Sequence, residues 1–463
     1  MKNADTITAC CDQIDVLTEQ IRTEAARPPV PPRPPMPITV VAADDDLQSK
    51  LQTGGLFVLE AGGAWELGYS FEVANTALSG VLGDTTLGGD RRPALTVPMQ
   101  VDGAILGGTT VRVEGHEVAV QLGRNDTQQN AVDLAPRRVL LHRVLSAGHR
   151  GKRCIEVDAA DVWIIDCDVR DLYDPEGQDS QAIWIGNAPG PVLVEGGYFE
   201  AASENLMVGG DQMKIPNCRP TGITVRDAEF HKPLAWRDQG VKVKNILELK
   251  DGHDVLFERC ALWSCWKSAQ DGYAFMFTPT RGGSLRNVVV RDCRVWDVGG
   301  IVNITGIDTN YPSEPRTQVS IIGGEYRTNT GAMGGTGRFC LIGRGPEWFI
   351  VEDALIAHEG SAFIDVSDKA PVDLLRVAGS TWNYGQYGIR IGGYNHGDNQ
   401  LGIVAAIEIE GNTISGAHSQ FRDRYPHNTY VDSMSRDREI EVDGRAEDYA
   451  REVAEELARV RRW

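Results

Sequence analysis

Residues 162–169 read VWIIDCDV, residues 255–262 read VLFERCAL, and residues 288–295 read VVVRDCRV. Each segment is a short apolar strand with a small residue at its sixth position and a further apolar residue after it. Ten such segments occur between residues 139 and 414, and their starts lie 23 to 33 residues apart. The segments are 139–145, 162–169, 192–199, 223–230, 255–262, 288–295, 319–326, 349–356, 374–381 and 407–414.

The repeat decides the fold class. A strand cannot bury its apolar face alone, whereas similar strands stacked in successive coils bury one continuous core. The period is too irregular for a leucine-rich horseshoe and too short for propeller blades, and no helical segments separate the strands. The sequence therefore predicts an all-β fold, namely a single-stranded right-handed parallel β-helix with short N- and C-terminal helices.

The sixth position of the repeat carries a small residue in nearly every copy. Coils stacked about 4.8 Å apart leave little room at an inner corner, so we expect these residues to line one. Buried cysteine behaves as a small hydrophobe, and the nine cysteines form no paired CxxC metal motif. We therefore interpret the three cysteines of this set as core residues and predict no metal and no cofactor. The set is Cys167, Gly197, Ala228, Cys260, Cys293, Gly324, Ala354, Gly379 and Asn412.

The chain divides into four regions. Residues 1–27 carry apolar positions spaced 3, 4, 3 and 4, which predicts a coiled-coil anchor or, alternatively, a single amphipathic helix on the body. Residues 28–37 hold seven prolines and form an extended linker. Residues 38–420 are the β-helix. Residues 421–463 are an extension in which residues 445–463 read as a helix, expected to cap the open end or, alternatively, to form a bundle between chains.

Charge and hydropathy narrow the range of partners. The formal net charge is −19, which disfavours nucleic acid and anionic membrane surfaces as partners. No stretch approaches 18 uninterrupted apolar residues, so no membrane insertion is expected. The first 26 residues lack the apolar run of a signal peptide, which indicates synthesis in the cytoplasm.

Several polar stretches carry a resemblance to a known superfamily. They are GQDSQAI at 177–183, SENLMVGGD at 203–211, KPLAWRDQ at 232–239, VKNILELK at 243–250, AQDGYAFMFTPTR at 269–281 and GGIVNITGID at 299–308. With them, residues 38–420 resemble the right-handed parallel β-helix proteins of the pectin-lyase-like superfamily, and more narrowly its uncharacterised bacterial repeat proteins. The superfamily includes polysaccharide lyases, polygalacturonase-like hydrolases, adhesins and phage tailspikes, so the resemblance implies a polysaccharide partner. The aspartates of the hydrolases and the calcium-binding acidic cluster of pectate lyases are not recognisable.

The polar region 177–308 is the expected location of a site. Alternation along residues 241–250 predicts that Val241, Val243, Asn245, Leu247 and Leu249 face the core. The other face would then present Lys242, Lys244, Ile246, Glu248 and Lys250 to the outside. In a lyase, a cation neutralises the uronate and a base removes the C5 proton, roles that the lysines and Arg237 can fill. The alternative is a solvated, charged strand face.

Glu204 and Glu248, from neighbouring coils, can act as an acid–base pair. The distance between their carboxyl groups would distinguish glycoside hydrolysis with retention of the anomeric configuration from hydrolysis with inversion. The alternative is that they form turn hydrogen bonds or ion pairs with the lysines. The predicted catalytic residues are Lys244, Glu248, Arg237 and Glu204.

Aromatic residues in the same region predict sugar platforms. Trp236 and Trp266 lie off the repeat and are expected to be exposed to sugar rings, whereas Trp263 and Trp296 occupy equivalent repeat positions and are interpreted as a stacked core pair. The predicted carbohydrate-binding residues are Trp236, Trp266, Lys232, Lys250, Gln270 and Asp271.

An oligomerising helix, a stiff linker and a long body are typical of a spike or fibre. The sequence thus favours a carbohydrate-binding β-helix protein that is a structural component of a phage or phage-like particle and contacts cell-surface polysaccharide. It would be a homotrimer on the virion, attached through residues 1–37. The alternatives are a polysaccharide lyase or glycoside hydrolase of the pectin-lyase-like superfamily, and a solenoid without a ligand.

The coiled-coil interpretation predicts a change of mass on truncation. We expect the full chain to be a trimer and the chain from Ile38 onward to be a monomer, because residues 7–21 carry the associating seam. Light scattering on both forms measures this. A monomer in both cases would contradict the coiled coil and favour a free-standing enzyme or a lone binding module.

Overall fold

The computed structural model describes six strand segments between residues 38 and 90 and then residues 95–433 with short gaps. The six segments are 38–41, 55–59, 64–67, 71–72, 79–82 and 86–90. The gaps are 108–109, 115–117, 125–128, 130, 178, 212–217, 313–314 and 368–370. The described chain winds through three parallel sheets of 14, 14 and 12 strands, which we call sheet 1, sheet 2 and sheet 3 in the order that a coil visits them.

The strands of the three sheets have the following bounds. Sheet 1 contains Ile38–Val41, Gly55–Leu59, Ser79–Leu82, Asp102–Gly107, Arg137–His142, Ala160–Ile165, Val192–Glu195, Thr221–Arg226, Gly252–Glu258, Leu285–Arg291, Gln318–Ile322, Trp348–Glu352, Val372–Ala378 and Val404–Glu410. Sheet 2 contains Ala64–Leu67, Thr86–Asp90, Thr110–Glu114, Leu145–Ala147, Asp168–Leu172, Tyr198–Ala201, Glu229–His231, Ala261–Cys265, Arg294–Val298, Glu325–Thr328, Leu355–Ala357, Thr381–Asn383, Thr413–Ser415 and Thr429–Val431. Sheet 3 contains Phe71–Glu72, Leu95–Val97, Val118–Gly123, Arg153–Asp158, Gln181–Ile185, Glu204–Val208, Leu247–Leu249, Tyr273–Phe277, Gly300–Thr305, Cys340–Gly343, Ile364–Val366 and Ile389–Ile391.

Each strand pairs in parallel with the equivalent strand of the coil before and the coil after it. Val162 lies beside Val139 of the preceding coil and Val192 of the following coil. A chain that returns to a parallel neighbour after every circuit forms a parallel β-helix, and such crossovers are right-handed. The predicted all-β, right-handed parallel β-helix is confirmed.

From residue 137 onward, a sharp corner joins each sheet 1 strand to the next sheet 2 strand. One residue at this corner has a positive φ, for example 50° at Asp166, 52° at Arg259, 50° at Asp292 and 65° at Gly323. Glycine adopts this left-handed conformation without a steric penalty, and aspartate tolerates it better than most residues. The chain therefore changes direction within two residues, which keeps the coil narrow.

The small residue of the repeat follows this left-handed residue and stacks on its counterpart in the next coil. The N–H of Tyr198 donates to the carbonyl of Cys167 at 3.1 Å, and the N–H of Arg294 donates to the carbonyl of Cys260 at 2.9 Å. The same bond recurs at each copy, so the predicted inner corner is confirmed.

The column of stacked small residues at this corner differs from the prediction at one position. The N–H of Thr381 donates to the carbonyl of Ala354, and the N–H of Thr413 donates to the carbonyl of Ser380. The stacked residue of that coil is thus Ser380, and the prediction of Gly379 is wrong by one residue. Gly379 instead has a φ of 61° and is the left-handed residue of the corner.

The three cysteines at the small-residue position of the repeat belong to the core. Cys167, Cys260 and Cys293 are buried without a disulfide in the apolar cluster that runs through the coils. Burial raises the pKa of the Cys167 thiol to about 12. A thiol that stays protonated is a poor nucleophile and a poor metal ligand, so the core interpretation is confirmed.

Helices are short in the described part of the chain. They are the α-helices Ala235–Asp238, Thr330–Met333 and Ser419–Arg424 and the 3₁₀-helix Val132–Leu134. Among the residues described, no helix has the length and apolar character needed to cross a membrane.

A short helix covers the carboxyl-terminal end of the core. Phe421 of the helix Ser419–Arg424 is fully buried and packs edge-on against Trp382 at 5.9 Å and Tyr384 at 5.1 Å between ring centroids. The anchor in residues 1–27, the linker 28–37 and the predicted capping helix 445–463 lie outside the described residues and stay predictions.

We expect Gly197→Ala to destabilise the fold by about 3 kcal/mol. Gly197 has a φ of 84°, and an added Cβ would lie 2.2 Å from the carbonyl oxygen of Cys167 in the preceding coil. Urea denaturation measures the loss. The control Gly402→Ala shares a positive φ of 62° but meets no atom within 4 Å, so we expect it to cost about 1 kcal/mol. Equal losses in the two variants would contradict the corner contact.

Candidate functional site

The outer face of sheet 3 carries a row of polar side chains. Alternation in its strands directs Ile183 and Leu206 into the core and the residues after them, Trp184 and Met207, outward. In register along the helix axis, Glu156 lies beside Trp184, then Met207, then Glu248. A second row, formed by the first residues of these strands, places Arg153 beside Gln181 and Gln181 beside Glu204. We call the following residues the polar strip: Gln121, Arg153, Glu156, Gln181, Glu204, Lys244, Glu248 and Lys250.

The first half of the polar strip is a chain of charge-assisted contacts. Nη1 of Arg153 lies 2.6 Å from Oε2 of Glu156, and its guanidinium lies 3.9 Å above the ring of Trp184. Gln181 donates through Nε2 to Oε2 of Glu204 at 2.9 Å. These contacts hold each polar group in one orientation, because a buried polar group without a partner is costly.

The second half of the polar strip gathers carboxylates around two lysines. Lys244 forms an ion pair with Asp179, and its Nζ lies 3.8 Å from Oε1 of Glu204. Lys250 forms an ion pair with Glu248. Each ammonium of the polar strip is thus already matched with a carboxylate.

An amide bridge extends this group. Asn245 donates through Nδ2 to Oε2 of Glu248 at 3.0 Å and also donates to Gln270. Gln270 therefore lies beside the polar strip, and its predicted contact with carbohydrate stays a prediction.

Burial and neighbouring charge tune the central groups. Glu204 is only 2% exposed, and burial together with the negative charge of Glu248 raises its pKa to about 7. Burial disfavours the charged form of Lys244, but Glu204 and Asp179 outweigh burial and raise its pKa. Glu204 can therefore give up a proton near neutral pH, whereas Lys244 stays an ammonium and is unsuited to act as a base.

The structure brings together three of the four predicted catalytic residues. Glu204, Glu248 and Lys244 share the polar strip. Arg237 lies against Trp266, with its guanidinium carbon 5.7 Å from the ring centroid. The catalytic role of Arg237 stays a prediction.

Lys232 is a structural residue. It has no exposed surface, and its Nζ donates to the carbonyls of Ala201, Ala202 and Ser203 at 2.8, 3.2 and 2.8 Å and to Oδ1 of Asn205 at 3.0 Å. Burial lowers its pKa to about 8. The prediction that Lys232 contacts sugar is wrong, because this ammonium is used inside the chain.

The predicted tryptophan platforms are buried. Trp236 and Trp266 are 1% and 5% exposed and form a satellite apolar cluster with Val243 and Met333. Their expected exposure to sugar rings is wrong. Asp271 pairs with Lys267 at 3.3 Å, at the edge of the same loops.

Trp263 and Trp296 stack as predicted but do not lie in the core. Their ring centroids are 5.0 Å apart and their planes are inclined by 5°. Their neighbours Leu262 and Val295 point into the core, so alternation places the two indoles on the outer face of sheet 2.

Alternation along residues 241–250 holds over only part of the segment. The strand is limited to Leu247–Leu249, where Glu248 points outward as predicted. Ile246, expected outside, belongs to the core, and Asn245, expected inside, bonds to the polar strip. The period of two is lost there because residues 241–246 are not a strand.

Sequence reasoning missed Arg153, Glu156, Gln181 and Trp184. A second repeat carried the signal for Glu156 and Trp184, since sheet 3 contains apolar triplets with one outward residue in the middle. These are VQL at 120–122, IEV at 155–157, IWI at 183–185, LMV at 206–208 and LEL at 247–249.

Within the described residues, no group of three or more His, Cys, Asp or Glu is arranged to hold a metal ion.

Comparison with known proteins supports the fold class. No protein-family model and no curated protein sequence matches this chain. The catalytic domain of a GH87 α-1,3-glucanase, solved with nigerose, is similar with a TM-score of 0.52 and 11% identity, over 84% of this chain and 70% of that domain. The likeness establishes that the chain shares the β-helix fold of that domain.

Two further structures are similar at lower scores. A mannuronic acid specific polysaccharide family 6 lyase from human gut microbiota has a TM-score of 0.49 and 11% identity, over 86% of this chain and 91% of that chain. The tailspike protein of E. coli bacteriophage HK620, solved as a mutant with a pentasaccharide, has a TM-score of 0.46 and 14% identity, over 81% and 64%. At these identities the likeness concerns the fold alone.

We expect Glu204→Gln to become more stable relative to the wild type as the pH rises from 5 to 8. The folded chain holds the Glu204 proton up to about pH 7, while the unfolded chain releases it near the ordinary value of 4.5. The unfolded state thus binds fewer protons in this window, so this group makes the wild type less stable as pH rises. Urea denaturation across this pH range measures the difference. A difference that stays flat across this range would contradict the raised pKa.

Proposed function

We propose that the protein binds a linear polysaccharide along the polar strip. The observation that carries this proposal is the set of oriented carboxylate, amide and guanidinium groups that two neighbouring rows, together with Glu248, distribute over five successive strands of sheet 3. Four spacings between these strands amount to about 19 Å along the helix axis. A polymer with a hydroxyl group on every unit matches such a row because each strand offers it a new set of hydrogen-bonding partners.

The charge pattern of the polar strip favours a neutral polysaccharide. Arg153 is paired with Glu156, Lys244 with Asp179 and Glu204, and Lys250 with Glu248. A uronate would have to displace one of these carboxylates, and it would approach a chain with a net charge of −19. A neutral sugar can instead donate its hydroxyl protons to the carboxylates that are already in place.

The polar strip is partly open where its lysines lie. The side chains of Lys244 and Lys250 are 25% and 22% exposed, and that of Asp179 is 51% exposed. Glu204 and Glu248 lie beneath them, almost without exposed surface. A ligand would therefore contact the lysines and Asp179 first and reach the carboxylates below only at close approach.

The wider role that we propose is that of a spike or fibre component of a phage or phage-like particle. The seam in residues 7–21 and the proline-rich linker 28–37 support it, since they supply an associating element and a stiff spacer. The protein would then be a homotrimer on the virion, attached through residues 1–37, with the β-helix body in contact with cell-surface polysaccharide.

Glycoside hydrolysis is the second candidate function. It is favoured by the raised pKa of Glu204, which resembles that of a general acid, next to the second carboxyl group of Glu248. The lyase alternative has less support, because Lys244 remains protonated and is an unsuitable base.

We expect Lys244→Ala to weaken the binding of a neutral polysaccharide at least about tenfold, because it removes a charge-assisted donor and leaves Glu204 and Asp179 without it. A glycan array of neutral and uronic polysaccharides selects the ligand, and isothermal titration measures the affinity. The matched control is Lys242→Ala, which removes an exposed lysine two residues away and is expected to bind like the wild type.

Equal affinities for the two lysine variants, or binding of polyuronates alone, would contradict the proposed site. The same samples test hydrolysis through the release of reducing ends. If Glu204 is the acid, Glu204→Gln retains binding and loses at least about 100-fold in rate. Binding without any release of reducing ends by the wild type would leave a binding protein and rule out the hydrolase.

A further inference from the structure

Sheet 1 carries apolar side chains on its outer face. Val255, Phe257, Val288 and Val290 point into the core, so alternation turns their neighbours to the outside. The outward residues form a second apolar cluster separate from the core, which we call the apolar stripe. The apolar stripe consists of Leu256, Val289, Ile322, Trp348, Ile350, Leu374 and Ala406.

The apolar stripe is shielded from water. Leu256 is 0% exposed, and Val289 and Ile350 are each 1% exposed. A side chain on the outer face of a sheet keeps part of its surface in water unless another layer covers it. The burial of these three side chains is what a covering layer on this face produces.

The end of the β-helix does not need residues 445–463 as a cap. Phe421 already closes the carboxyl-terminal end of the core against Trp382 and Tyr384. The apolar positions of residues 445–463 are consequently left for another surface. These positions are Ala446, Ala450, Val453, Leu457 and Val460, with the 4, 3, 4 and 3 spacing of one helical face.

We propose that residues 445–463 form an amphipathic helix that docks lengthwise on the apolar stripe of the same chain. A helix of 19 residues is about 28 Å long. The apolar stripe runs across six strands, from Gly252–Glu258 to Val404–Glu410, and its five spacings amount to about 24 Å. The two lengths match, and the small and branched side chains of the helix suit close packing on a sheet.

The connection is long enough for this docking. Eleven residues, 434–444, join the last described residue to the helix and can span about 36 Å. The chain emerges beside the strand Thr429–Val431, at the same end of the β-helix as the strand Val404–Glu410. The helix therefore starts at the near end of the apolar stripe.

The apolar seam of residues 7–21 is placed less well for this surface. The strand Ile38–Val41 is eight spacings, or about 38 Å, from Gly252–Glu258 in sheet 1. Sixteen residues, 22–37, join the seam to that strand and can span about 50 Å, so most of this connection would have to extend along the β-helix, whereas residues 434–444 begin beside the apolar stripe. The nearer terminal segment is thus the better occupant.

Site-specific photo-crosslinking in the full chain tests the docking. With a photoreactive amino acid in place of Ile322, which is only partly buried, we expect crosslinks to peptides from residues 445–463. Mixing isotope-labelled and unlabelled protein separates crosslinks within one chain from those between copies, and we expect them within one chain. The control places the same group at Arg294, an exposed outward position of sheet 2, where no such crosslink is expected.

A pair of substitutions sharpens the result. Leu457→Asp puts a charge on the apolar face and is expected to lower the crosslink yield at least about tenfold, whereas Glu456→Asp, which lies off that face, leaves it unchanged. Crosslinks to a second copy, to residues 1–37 or to no peptide at all would overturn the proposal. Equal yields in Leu457→Asp and Glu456→Asp would overturn it as well.

Discussion

Backbone hydrogen bonds between successive coils are the interaction on which every other feature of this structure depends. They hold equivalent strands about 4.8 Å apart, so each residue stands directly above its counterpart from the preceding coil. At the corner between sheets 1 and 2, the bond from Tyr198 to Cys167 recurs at each copy. That spacing explains why the stacked corner residue is small and why the residue before it adopts a positive φ.

The same spacing shapes the chemistry of the outer faces. On sheet 3, stacked polar groups stand one spacing apart, so like charges would repel unless opposite charges or amides separate them. Gln181 lies between Arg153 and Glu204, and Lys244 lies beside Glu204 and Asp179. The charge of Glu204 is not fully balanced by its neighbours. Burial and the negative charge of Glu248 raise the pKa of Glu204 into the neutral range. The fold thereby produces a titratable group at the centre of a long, otherwise neutralised row.

Much of the fold could be predicted from the sequence because the repeat of sheet 1 and its corner has a simple physical cause. The sequence predicts the stacked corner residues with one error. It predicts Gly379 where the structure has Ser380, because the two residues are adjacent and both are small. The site was harder to predict. The structure brings together Glu204, Glu248, Lys244 and Gln270, which the sequence singles out, but it buries Lys232, Trp236 and Trp266, for which the sequence predicts contact with sugar. These three residues lie in loops between sheets 2 and 3, and no periodicity reports whether a loop side chain is buried.

The sequence by itself determined the coil, its parallel pairing and its inner corner, because strand alternation and the need for a small residue recur in every copy. Only the tertiary structure decided which polar groups meet. Asp179 and Lys244 are 65 residues apart in the chain and form an ion pair, and Lys232 lies inside a cage of carbonyls. Such contacts depend on how loops of unequal length align coils in space, and local sequence patterns carry no information about that alignment.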